Sequence, residues 1–263
     1  MDLPTLGELG RIGAAVLLVI VAAAIIRWQR AGLEGDVLVA SVRAFVQLIA
    51  IGYLLQAVFA NDQPIFIVII LGVMALIGAY TAGQRGAAVP RAALAALAGI
   101  VIGAVLNLGP LVLLGVFQPQ ARFLIPLGGM VIGNAMTSCG LVLARLGDEI
   151  KQGRPQIEAA LALGATSRQA IAPQLRRVLK NGLLPVVDST KIVGIIQLPG
   201  TMTGMILGGA SPLQAVQTQI IVLYMLLGGS TFAGLIAALF GYRGFFSPAH
   251  QLLRPEPGAA AKR

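Results

Sequence analysis

The chain has 263 residues, of which 57% are hydrophobic and 11% charged, with a net charge of +9 and a mean hydropathy of +0.87. Soluble domains carry about a quarter charged residues, so a soluble fold of this length would lack the polar surface to face water. The basic excess does not point to nucleic acid, because Lys and Arg lie between apolar runs, where they act as topology signals. One cysteine (Cys139) and one histidine (His250) exclude a disulfide framework and a Cys/His metal cluster.

Asp2 and Glu8 precede the first apolar run, where a secretory signal would carry positive charge. Apolar runs follow at residues 12–26, 37–59, 65–82, 92–116, 123–144, 183–207 and 215–240. Hydrocarbon offers backbone groups no water to bond, so runs of this length are read as helices. The expectation is an all-α transmembrane bundle of about seven spans, forming a single permease-sized domain over residues 1–263 with no internal repeat. The first run is short, and Arg11 and Trp28 are suited to anchoring its ends. A polar stretch interrupts the runs at residues 145–181, and the tail, residues 242–263, is polar with Pro and Gly.

With the N-terminus outside, fifteen of the nineteen Lys and Arg residues fall on the inner side, and only Arg11 and Arg122 on the outer. Arg43 and Lys191 lie within runs. This asymmetry predicts an outer N-terminus and a cytoplasmic C-terminus.

The polar stretch contains P-Q-I-E-A-A-L-A-L-G-A-T-S-R-Q over residues 155–169. Pro155 suits a first helical turn, and Glu158 near that end faces the positive pole of the helix dipole. Gly164 allows a sharp stop, and Thr166 with Gln169 has capping-box spacing for a second short helix. Two short helices with an apolar face on the cytoplasmic side are suited to pressing against a partner.

Glu158, Ala159, Ala160 and Gly164 resemble the E-A-A-x-x-x-G signature of ABC-transporter permeases, whose loop forms a coupling helix in a groove of the ATPase subunit. The I-x-L-P element that continues the importer pattern is replaced here by Gln174, Leu175, Arg176 and Arg177. Further blocks are G-G-M-V-I-G-N-A-M over residues 128–136, L-P-G-T-M-T-G-M-I-L-G-G over 198–209, and R-A-F-V-Q-L from Arg43. Together with Pro126 before the first block and Ser211-Pro212 after the second, they resemble the iron-export ABC permease (Fet-type) family, related to a plant aluminium-tolerance half-transporter. The resemblance covers roughly residues 37–241. It implies a bacterial inner-membrane permease that dimerises and recruits a cytoplasmic ATPase. ATP and Mg would sit on that partner, with no cofactor on this chain. It further implies metal export, with Glu158, Ala159, Ala160, Gly164 and Thr166 as coupling residues.

Ionisable groups at membrane depth are functional candidates. Arg43 and Gln47 share one helix face. Asp188 and Lys191 are three apart, either as an internal ion pair or as a gate. The block from Gln197, with Pro199, Gly200 and further glycines, should break or kink its helix and is the first choice for the transport pathway. Gly128, Gly129, Gly133, Gly228 and Gly229 suggest close helix approach. Met130, Met136, Cys139, Met202 and Met205 either offer soft sulfur to a passing metal or simply fill the core. Asn134, Thr137 and Ser138 either replace hydration water or hydrogen-bond across helices. No P-loop and no H-E-x-x-H or G-x-S-x-G motif occurs, so the chain is read as a transport subunit and not an enzyme. The alternatives are a carrier driven by an ion gradient through Asp188, or an ABC permease for a non-metal substrate such as a sugar nucleotide.

Overall fold

Backbone groups in hydrocarbon must bond within their own segment, and the chain meets that demand with helices almost throughout. The computed structural model describes residues 6–29, 32–61 and 63–253. The helices are α1 (Leu6–Trp28), α2 (Glu34–Asn61), α3 (Pro64–Arg85), α4 (Ala92–Leu113), α5 (Ala121–Gln152), α6 (Arg154–Ala162), α7 (Ser167–Ile192), α8 (Gly200–Leu207) and α9 (Pro212–Gly241), with a 3-10 turn at Tyr242–Phe245. No strand longer than an isolated bridge forms among the described residues. Asp2, Arg30, Arg254, Lys262, Arg263 and the side chains of Glu8 and Arg11, used in the sequence reading, lie outside the described part.

The chain divides into two units, Met1–Asp62 and Gln63–Arg263. In the first, α1 and α2 pack on each other, and Arg27 pairs with Glu34 at 3.8 Å across the connection. None of the most apolar stretch of α2 is buried. In the second unit α4 and α5 both pack on α9, α3 packs on α4 and α5, and α7 packs on α5 and α9.

Among the described residues, five helices are long and apolar enough to cross a membrane: α2, α3, α4, α5 and α9. In α1 the shorter apolar stretch Val16–Trp28 is found. The sixth apolar run, residues 183–207, is interrupted, as the block from Gln197 had suggested. It is divided between the end of α7 and α8, because Gly194 takes φ +82° and Pro199 cannot continue a helix.

The polar stretch differs from the expected pair of short helices. At 32 residues α5 is about 48 Å long against a hydrocarbon core of about 30 Å, so it projects well beyond a bilayer. Its last turns hold Arg145, Asp148, Glu149 and Lys151, and charged side chains do not end a helix merely because the solvent changes. Only α6 is short. The second helix, opened by Thr166, runs 26 residues into the apolar region.

A small-residue seam sets the closest approach in the second unit. A Cβ on Gly99 would stand 2.6 Å from the Ala233 carbonyl, and one on Gly103 would stand 2.9 Å from the Ala233 nitrogen. The α4 and α9 backbones therefore touch, which is how helices associate where the hydrophobic effect gives no drive. Gly128, Gly228 and Gly229 are also tightly approached, by Leu71, Asn107 and Val131, whereas Gly133 faces open space. Gly99→Ala should thus destabilise the protein by about 2 kcal/mol through overpacking against backbone. Gly133→Ala should leave stability unchanged or slightly raised. Thermal unfolding of the two purified variants in detergent checks the contrast.

Candidate functional site

At the polar end, α5, α6, α7 and the end of α9 share one apolar core. Ile150, Ile157, Ala170, Ile171, Val178, Ala238 and Tyr242 are buried in the same cluster as Ala96, Ile100 and Cys139. Helix α6 is held by Ile157, its one buried residue. The remaining face turns outward: Glu158 and Ala159 are exposed, and Leu163 at the tip is 89% exposed. Gly164 follows with φ +88°, a conformation that turns the chain without the penalty of a Cβ.

The capping box opens α7 as its spacing predicted. The Thr166 N–H donates to Gln169 Oε1 at 2.9 Å, and Thr166 Oγ1 accepts from the Gln169 N–H at 3.4 Å. Glu158 accepts from Arg154 Nε at 2.8 Å, and Glu149 accepts from Arg177 Nε at 2.8 Å, joining the ends of α5 and α7. Ala160 packs against the core, so the five coupling candidates do not share one face. Leu163, read from the sequence only as part of the apolar helix with Ala159, Ala160 and Leu161, is the residue left uncovered at its tip. The signal was present, an apolar residue just before a helix-ending glycine, where nothing covers it.

A second arrangement lies deeper, between α5 and α7. Asn134, Thr137, Ser138, Leu141, Gly182, Pro185, Val186 and Ser189 line a cleft of about 150 Å³. The helices can approach because Gly182 has no Cβ to meet Val142. Asn134 Nδ2 donates to the Met130 carbonyl at 2.9 Å, Thr137 Oγ1 to Gly133 at 3.2 Å, and Ser189 Oγ to Val186 at 3.0 Å. One Asn134 N–H and the Thr137 and Ser189 hydroxyls are committed within their own helices, so oxygen lone pairs predominate in the cleft, beside the second Asn134 N–H and the Ser138 hydroxyl. Pro185 also lacks the N–H that would occupy the carbonyl four residues before it. Such a lining suits a cation or a hydrogen-bond donor and offers little to an anion.

Lys191 Nζ pairs with Asp188 Oδ1 at 2.9 Å, with both side chains more than half exposed. Asp188 is adjacent in sequence to Ser189 but does not line the cleft. Beyond Ile192 the chain makes a tight turn, with Gly194 N–H donating to the Gln197 carbonyl at 2.9 Å. Pro199 then stands before the first turn of α8, which starts at Gly200 and carries Met202 and Met205.

The soft-sulfur set is not assembled. Met136 packs with Cys139, which has no exposed surface, whereas Met130 packs in a separate cluster with Val131, Val222 and Met225. Six positions along one helix put Met130 and Met136 on different faces. Among the described residues no three of His, Cys, Asp and Glu gather where they could hold a metal. Sequence reasoning also passed over Asn107, which is buried in α4 and donates to the Met225 carbonyl of α9 at 2.8 Å. It reaches that backbone beside Gly228 and Gly229, where α9 has no side chain in the way.

The sequence matches the family described as "Uncharacterised protein family (UPF0014)" over residues 9–246. The chain belongs to that family. It is 45% identical over 239 residues to the rice (Oryza sativa subsp. japonica) "UPF0014 membrane protein STAR2", covering 91% of this chain and 84% of the relative. To the "Protein ALUMINUM SENSITIVE 3" of Arabidopsis thaliana it is 43% identical, over 91% of this chain and 88% of the relative. To the "Probable iron export permease protein FetB" of Escherichia coli (strain K12) it is 36% identical, over 91% of this chain and 92% of the relative. No solved structure matches.

In this UPF0014 chain the Asp188–Lys191 pair tests the expectation that the end of α7 lies in hydrocarbon. Removing one partner leaves an unpaired charge, whereas removing both does not. Asp188→Asn and Lys191→Met alone should each lower stability and folded yield, and the double variant should recover most of the loss. Size-exclusion yield and thermal unfolding in detergent read the comparison.

Proposed function

We propose that the chain is the permease subunit of an ABC transporter, exporting iron or a related metal from the cytoplasm as a homodimer driven by a separate ATPase. The observation that carries this reading is α6, a short helix standing off the polar end of the bundle. Ile157 is locked into the core behind it, and an uncovered Leu163–Gly164 tip stands in front. An exposed apolar residue rimmed by polar ones is the form of an anchor for a partner groove. The relative whose printed name is an iron export permease supplies the substrate class. The orientation proposed from Lys and Arg counting puts α6 in the cytoplasm, where a nucleotide-hydrolysing partner would be. The membrane is then the bacterial inner membrane.

In this reading the ATPase moves α6, and the motion enters the membrane through the core that buries Ile157 and Ile171. The α5–α7 cleft, with its acceptor lining, is where a partly dehydrated cation exchanges water for protein oxygens. Its 150 Å³ is also small beside the roughly 300–1,000 Å³ of pockets for drug-sized ligands, which favours an ion over a sugar nucleotide. Asn134 and Thr137 are the pathway residues this geometry supports. Gln197 and Pro199 lie in the break between α7 and α8, and Gly200 opens α8. Met130 and Met136 act as packing.

The tagged chain, purified from its host membranes in mild detergent, should retain a stoichiometric P-loop ATPase. Leu163→Asp and Gly164→Val should each reduce that retention at least tenfold while the protein stays inserted and dimeric. The first buries a charge at the contact, and the second forces a β-branched residue to φ +88°. A homodimer without ATPase that moves Fe(II) without ATP would instead establish a gradient-driven carrier.

A further inference from the structure

The chain beyond α9 folds back as a hook. After the 3-10 turn, Phe246 and Leu252 form an isolated antiparallel bridge. The Leu253 N–H donates to the Phe245 carbonyl at 2.8 Å, and the Ser247 N–H to the Gln251 carbonyl at 2.9 Å. Tyr242 and Phe246 meet edge to face at 6.3 Å, and Phe245, Phe246 and Leu252 pack on the cluster that buries Ile157 and Ile171. The hook is therefore part of the core at the polar end.

Its polar contacts fall at two particular places. His250 Nδ1 accepts from the Ser167 N–H at 3.4 Å and lies 3.1 Å from the Ser167 hydroxyl. Ser167 is the first residue of α7, so this N–H is one of the donors a helix start leaves without an internal partner. Because that donor is a backbone N–H, Nδ1 must be the unprotonated ring nitrogen. Arg154, the first residue of α6, donates from Nε to Glu158 and from Nη1 to the Leu253 carbonyl at 3.4 Å. Thus the hook holds the first residue of α6 and the first residue of α7, on either side of the Leu163–Gly164 tip. His250 takes φ +58°, a left-handed conformation that persists only when surroundings over-determine it.

We propose that the hook, residues 246–253, is a mechanical link that carries motion of the α6–α7 corner directly to α9, beside the route along the length of α7, and that His250 is its positioning residue. The link rests on the reading of α6 as the ATPase contact. Helix α9 is the natural receiver, because it packs on both α4 and α5, with its backbone against α4 at the Gly99–Ala233 crossing. The hook is its covalent continuation. Without the hook, α6 would be tied through its flanking residues, Ile157 and the partly buried Ala160 and Leu161.

Side-chain chemistry separates a link from a mere filler. His250→Asn keeps an acceptor close to the Nδ1 position and tolerates the left-handed backbone. His250→Gly keeps the backbone conformation and removes the acceptor. The measurement is Fe(II) moved per ATP hydrolysed, in proteoliposomes of the full chain with the ATPase that co-purifies with it. His250→Asn should match the unaltered chain. His250→Gly should keep the ATPase bound and hydrolysing but lose about fivefold in Fe(II) per ATP, the factor one hydrogen bond is worth. The Ser167→Cys/His250→Cys pair gives a second measurement within one folded sample, since the native Cys139 is buried. Its oxidised, cross-linked form should transport at the normal ratio, and reduction should produce the same fivefold fall. Unchanged coupling in His250→Gly, or no change when the cross-link is reduced, overturns the link while leaving the permease reading in place. Absence of any ATPase from the unaltered chain overturns that reading, and the link with it.

Discussion

Ile157 and Ile171 have no exposed surface, and what buries them is the cluster that also packs the transmembrane helices. That continuity governs the rest of the structure. A packed interior is as dense as an organic crystal and barely compressible, so displacing one side displaces the other. A polar segment attached by an ordinary surface loop would lose a push to slack. Here one buried isoleucine fixes α6 to the bundle, and the Gly164 turn lets the tip stand clear of it.

Helix α7 joins the two parts of the candidate site. Its cap, Thr166, belongs to the polar end, and Ser189 lines the cleft 23 residues later, about 34 Å along the axis. Pro173 and Pro185 each remove a ladder bond within that length, which gives the helix defined places to bend. Helix α5 runs beside it for most of the way without meeting the same break. Beside the cleft the proline break therefore falls on α7, whereas the internal proline of α5, Pro126, precedes the cleft residues.

What was legible in the sequence follows from how local each signal is. Long apolar runs announce helices because hydrocarbon permits little else, and the Thr166–Gln169 box and the Gly164 stop are decided by neighbours three or four residues away. The Asp188–Lys191 pair is local in the same way. The extension of α5 past the apolar boundary was not legible, because polar helix formers look alike in a loop and in a helix that continues. The α4–α9 seam was hidden for a different reason: Gly99 and Gly103 matter through Ala233 and Ala237, far away in the chain. The same holds for Asn107 and for the hook, whose contacts cross 83 residues to Ser167 and 99 to Arg154. The cleft was half visible. Asn134, Thr137 and Ser138 stood out as oxygen-bearing residues, but their partner Ser189 lies on another helix. Methionine left two readings open, sulfur contact or packing, since sulfur content says nothing about which face of α5 each residue occupies.

The two cations inside apolar runs obey one constraint. In an α-helix every Cα–Cβ bond tilts toward the N-terminus, so a long side chain leans that way. Arg43 lies nine residues after Glu34, about 13 Å along α2, on a face with Leu38, Val39 and Val42 one turn nearer the helix start. Its stem can run over those apolar side chains while the guanidinium reaches toward the polar boundary. Lys191 on α7 leans back in the same sense and meets Asp188. Under the proposed orientation both helices begin on the cytoplasmic side, so both cations add to the inner charge. Under that orientation a cation placed in a helix that starts outside would lean toward the outer face instead, and Lys191 has its charge matched by Asp188.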